Sequence, residues 1–76
     1  MSSLLTELSY RELIKRLKKY GFRYYRSGKK SHELWVRDSD KKVIPVPHHK
    51  GKPIRKGTIG AIIKEIDVSI KEFFTK

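Results

Sequence analysis

His32, His48 and His49 are the only side chains in this sequence whose ordinary titration lies near neutrality. There is no Cys, hence no thiolate nucleophile, no thiolate metal site and no disulfide. The acids are Glu7, Glu12, Glu33, Asp38, Asp40, Glu65, Asp67 and Glu72. Glu12 and Glu72 fall in capping boxes, where backbone amides are expected to engage them, and Asp38 and Asp40 suit a turn. No converging carboxylate set of the two-metal nuclease kind results. His48 and His49 are adjacent and would point to opposite faces of a strand, so no metal site is expected. The spacing around Gly57 and Gly60 matches neither a dinucleotide nor a Walker phosphate loop, and no cofactor is implied. One chemistry lies within reach of one or two histidines without a metal, namely RNA transesterification. RNA supplies the nucleophile, its 2′-hydroxyl. The protein need only move protons and stabilise charge on the phosphate. On composition alone, each histidine also fits a solvent-facing loop role.

Charge narrows the partner. Lys and Arg total 19 against 8 Asp and Glu, a formal net of +11 in 76 residues. Residues 11–56 hold 16 basic and 4 acidic side chains, a net of +12, whereas residues 57–76 hold 3 of each. Clustered positive charge of this kind fits a polyphosphate such as RNA. A membrane surface fits less well, because the basic helix has no broad apolar face left once its core stripe is used. No run approaches the roughly 20 apolar residues of a membrane span. The N-terminus has no signal-peptide pattern, and a small chain without cysteine suits the cytoplasm.

The elements that must hold these residues can be read from local pattern. Residues 1–8 form a loose lead-in to a single domain over 9–76. Ser9 and Glu12 make a capping box, with Leu8 and Leu13 placed as its staple. Tyr10, Leu13, Ile14, Leu17 and Tyr20 then recur at helical spacing until Gly21 supplies a stop. Three strands follow, Phe22 to Ser27, Ser31 to Arg37 and Lys42 to Pro47, joined by short turns. Pro45 and Pro47 cannot donate ladder bonds, which makes the third strand an edge. Gly57 and Thr58 open a helix whose Ile59, Ile62, Ile63 and Ile66 form a core stripe. Ser69 to Glu72 is a second capping box before a terminal helical turn. The fold class is α+β in the order α-β-β-β-α, an antiparallel three-stranded sheet with helices on one face.

This order brings the candidates together. His32 follows the basic turn Lys29-Lys30 and begins the second strand, while His49 ends the third. In an antiparallel pair the start of one strand lies near the end of the other, so the two histidines can share a rim. The loop carrying Lys50, Lys52, Arg55 and Lys56 runs into a helix N-terminus, a favourable place for phosphate. Tyr24, Tyr25 and Trp35 are available for base stacking, and Trp35, on the opposite parity from Leu34 and Val36, is the one expected to be exposed.

The same residues resemble the HicA family of toxin ribonucleases, also called the YcfA-like family. The resemblance runs from Tyr10 onward. It includes Gly21-Phe22, Ser31-His32, Val46-Pro47-His48-His49-Lys50-Gly51-Lys52, Lys56-Gly57-Thr58-Ile59 and Glu72-Phe73. It implies a fold like a double-stranded-RNA-binding domain and a metal-independent mRNA interferase. It also implies a partner antitoxin of the HicB type, encoded beside the toxin. The family's essential histidine, in a Gly-Ser/Thr-His motif, corresponds to His32 with Ser31 before it. The glycine is Lys30 here, and Gly28 is the candidate to supply the missing backbone freedom. The family's Pro-x-His element corresponds to Pro47 and His49. Two other readings keep the fold and charge without chemistry. One is a non-enzymatic RNA-binding module, and the other is a basic structural protein of the ribosome.

Overall fold

The computed structural model describes residues 4–76, and the first three positions of the lead-in lie outside the described residues. The order is α1 (Tyr10–Lys19), β1 (Phe22–Ser27), β2 (His32–Arg37), β3 (Lys42–Pro47), α2 (Lys56–Glu65) and α3 (Ile70–Thr75). The α-β-β-β-α pattern expected from the sequence is therefore present, with α3 as the terminal stub. Ser9 Oγ accepts from the Glu12 amide at 3.1 Å, and Ser69 Oγ accepts from the Glu72 amide at 3.0 Å. Only the serine half of each box matches expectation: neither glutamate carboxylate accepts from its capping serine's amide among the described residues, and that of Glu12 turns to Arg16, 3.1 Å away. At the end of α1, Gly21 takes φ +89°, a left-handed conformation that glycine adopts without a Cβ penalty.

The strands form an antiparallel sheet in the order β1-β2-β3. β2 faces β3 in unbroken register from His32↔Pro47 to Arg37↔Lys42. The His48 amide donates to the Ser31 carbonyl at 2.9 Å. Alternation along the ladder then makes His32↔Pro47 and Leu34↔Pro45 non-hydrogen-bonded pairs. Both prolines thus place their missing donors on the outer edge, where no ladder bond is lost. β1 pairs β2 with a bulge between Tyr24 and Arg26.

The helices cover the face bearing Phe22, Trp35, Ile44 and Val46, which join Leu13, Leu17 and the four isoleucines of the α2 stripe in one core. Trp35 is 3% exposed, so the expectation that it is free for base stacking is overturned. Period-two alternation shows which residues share a face but not which face the helices choose. They choose the side of Trp35 because it buries far more apolar area than Leu34 or Val36. Leu8 closes the other side of the core, bridging Ile54 through amides at 3.2 and 2.7 Å. Phe73 of α3 is buried and stacks on Tyr20 at 5.9 Å between centroids.

Candidate active site

β2 sends alternate residues to opposite sides of the sheet, and the two sides differ in chemistry. His32 opens the strand and is exposed. Its Nδ1 lies 3.3 Å from the Lys29 carbonyl. A carbonyl can only accept, so this contact requires the Nδ1–H tautomer, which leaves Nε2 of the neutral ring with a bare lone pair. His32, Pro47, His49, Lys52, Arg55 and Thr58 line one open cleft of about 420 Å³. The antiparallel register of β2 and β3 brings His32 and His49 there, as strand order anticipates. α2 begins at Lys56, one residue earlier than Gly57. Its N-cap, Arg55, makes no side-chain capping bond, and no acidic residue lies in its first turn. The first amides of α2 and its positive dipole end therefore lie beside the cleft without a side-chain cap or carboxylate to satisfy them. The side chains of His49, Lys52 and Arg55 make no hydrogen bond or ion pair among the described residues. Lys29, Lys30, Lys50 and Lys56 are exposed but do not line the cleft. Among the described residues, no group of three or more His, Cys, Asp or Glu side chains could hold a metal ion.

The other side of β2 carries a closed network that sequence pattern did not reveal. Glu33 Oε1 accepts from the Tyr10 hydroxyl and from Trp35 Nε1, the latter at 3.1 Å. Its Oε2 accepts from His48 Nδ1 at 3.3 Å. The His48 and Tyr10 rings stack at 3.7 Å with 9° between their planes. Burial pushes the Glu33 carboxyl up, but the hydrogen bonds from Tyr10, Trp35 and His48 outweigh it and hold the group below its ordinary range. Burial, the bond to Glu33 and its negative charge all push the Tyr10 phenol up. Parity places Glu33 on the Trp35 face, and it meets α1 because the helices cover that face.

A family model for the HicA toxins of bacterial toxin-antitoxin systems matches residues 10–68. The chain belongs to the HicA toxin family. No curated protein and no solved structure matches it. The HicA match spans α1 through α2 and ends before α3, leaving Glu72 and Phe73 beyond it. As a HicA toxin, the chain is one half of a toxin-antitoxin pair, and its partner is an antitoxin. Its departure from the HicA motif can be located in the backbone. Lys30, where the resemblance implies a glycine, holds φ +56°. Gly28 does not adopt a positive φ, so it does not supply the missing freedom. Gly28 is instead tightly packed, since a Cβ there would lie 3.3 Å from the His32 carbonyl and 3.4 Å from Leu34 Cγ. The turn thus keeps a glycine-like conformation with lysine in it, and lets Ser31 deliver its carbonyl to His48.

Proposed function

We propose that this HicA toxin is a metal-independent endoribonuclease that cleaves mRNA, with His32 as the general base. The observation that carries this reading is the placement of His32, whose Nδ1 lies 3.3 Å from the Lys29 carbonyl, on an open cleft that it shares with His49, Lys52 and Arg55. Nδ1 is committed to the Lys29 carbonyl, so Nε2 is the proton acceptor at the cleft. In the reaction, Nε2 takes the proton of the 2′-hydroxyl. The 2′-oxygen forms a bond to phosphorus, and the bond from phosphorus to the 5′-oxygen breaks. His49, lining the same cleft, returns a proton to the departing 5′-oxygen. Lys52, Arg55 and the first amides of α2 stabilise the charge on the phosphorane. Lys29, Lys30, Lys50 and Lys56 extend the positive track for flanking phosphates. Ser31 positions the base by tying the start of β2 to His48. The products are a 2′,3′-cyclic phosphate and a 5′-hydroxyl. DNA lacks the nucleophile and is spared.

The cytoplasm, where mRNA is found, is the site of action. The antitoxin is an acidic, HicB-like protein that covers the His32 rim, excluding RNA by occupying its cationic site. The deciding assay incubates wild type and His32→Ala with a long single-stranded RNA in EDTA. Wild type should cut and leave cyclic ends, and the variant should bind without cutting. Equal cutting by both removes His32 from the chemistry. Binding without cutting by both replaces the nuclease with an RNA-binding module.

A further inference from the structure

His32 also walls a second space. On its other side an apolar groove of about 350 Å³ runs between the outer edge of β3 and α2. Val43, Pro45 and Pro47 form one wall, and Thr58, Ala61, Ile62 and Glu65 form the other. The helix residues recur at i, i+3, i+4 and i+7, a stripe beside the one that fills the core. The stripe spans about 10 Å along the helix axis. Val43 is 41% exposed, so this wall is apolar surface that the fold itself does not cover.

We infer that this groove holds the base of the nucleotide whose phosphate lies in the basic cleft, making it the specificity subsite of the toxin. The inference rests on the ribonuclease reading for the placement of the phosphate. Three observations favour a nucleobase over other occupants. The groove is continuous with the cleft through His32, Pro47 and Thr58, which line both. A cationic, phosphate-binding cleft thus adjoins an apolar slot, complementary to the phosphate and base that a nucleotide carries. The β3 edge has no N–H at Pro45 and Pro47, so it cannot capture a peptide as an added strand. At the far end Glu65 presents a carboxylate, which accepts hydrogen bonds but donates none. Its present partner is Lys42 Nζ at 3.1 Å, an exposed pair that is cheap to exchange. Bases with an exocyclic amino group can satisfy that acceptor, and the rings of Pro45 and Pro47 offer flat apolar faces to the base. Uracil offers only its N3–H, flanked by two carbonyl oxygens that a carboxylate repels, so the subsite prefers adenine, cytosine or guanine over uracil.

The test is an NMR titration with the four nucleoside 3′-monophosphates and, for comparison, ribose 5-phosphate. All five ligands should move the amide signals of Arg55 and Thr58. The amino-bearing nucleotides should additionally move Val43, Ala61 and Ile62, and Ala61→Leu, which fills the groove, should abolish only this second set. Groove signals that respond equally to ribose 5-phosphate, or that survive Ala61→Leu unchanged, overturn the inference. In parallel, cleavage of a mixed-sequence RNA by Glu65→Gln should reduce the preference for amino-bearing bases over uridine by about tenfold. An active Glu65→Gln with an unaltered base profile overturns the subsite and leaves the nuclease standing. A wild type that never cuts, yet shows base-dependent groove shifts, overturns the nuclease and leaves the subsite standing.

Discussion

Two pairs of neighbours in sequence, His32-Glu33 and His48-His49, divide between opposite sides of the β2–β3 ladder. On one side Glu33 is saturated and His48 is engaged through its ring face and Nδ1. Each polar atom of the Glu33 carboxylate has a partner, and the His48 ring has both a stack and a hydrogen bond. On the other side the His32 ring makes one long contact, and the side chains of His49, Lys52 and Arg55 make no hydrogen bond or ion pair among the described residues. The contrast separates two uses of the same residue type. A polar group packed against the core must be satisfied, because leaving it unpaired costs about 1–3 kcal/mol. A group meant for a ligand must keep its lone pairs and protons for that ligand.

The strongest way to break this comparison is to exchange the histidines' fates. His32→Ala should lower cleavage by about 10²- to 10⁴-fold with little change in the unfolding midpoint. His48→Ala should retain most cleavage but lower stability by about 1 kcal/mol through the lost stack and hydrogen bond. Urea titrations beside cleavage rates check both, and a His48→Ala variant as inactive as His32→Ala would merge the two regions into one site.

The cationic side can be tested by salt. Replacing Lys50, Lys52, Arg55 and Lys56 together should flatten the slope of log affinity against log salt by up to about 3. An unchanged slope would remove the loop from the RNA path.

Glu33 sharpens the structural side. Glu33→Ala should destabilise by about 1–3 kcal/mol, as it strips partners from Tyr10, Trp35 and His48. The folded state lowers the Glu33 pKa, so its contribution is present above the ordinary value of 4.5 and is lost as pH falls through the native value. Tyr10 is shifted upward, so its contribution is lost instead as pH rises beyond the ordinary tyrosine value of 10.0. Urea midpoints of Glu33→Gln between pH 3 and 6 should show a shallower acid limb than wild type.

The smallest effect concerns Lys30. A left-handed lysine costs about 1–2 kcal/mol, and glycine recovers most of this less about 0.5–1 kcal/mol of unfolded-state entropy. Lys30→Gly should therefore stabilise by about 0.5 kcal/mol, measurable as a small rise in Tm. A loss of stability would mean that the lysine side chain itself holds the turn.

Local pattern determined the elements of this protein. Ser9 and Ser69 cap helices because a serine oxygen accepts an otherwise orphaned amide, whatever the tertiary surroundings. The isoleucines of α2 repeat at a period only one buried helix face satisfies. Pro45 and Pro47 force an edge because they lack donors. Strand order alone was enough to bring His32 and His49 to one rim. Tertiary structure decided which sheet face the helices cover, and hence that Trp35 lies in the core and that Glu33 gathers Tyr10 and His48. It also decided that Lys30, not Gly28, takes the left-handed turn, and that a second stripe on α2 meets the β3 edge to form a groove. Alternation and periodicity assign residues to faces through local geometry. Which faces meet depends on the area that each arrangement buries across the whole chain, a quantity no local window contains.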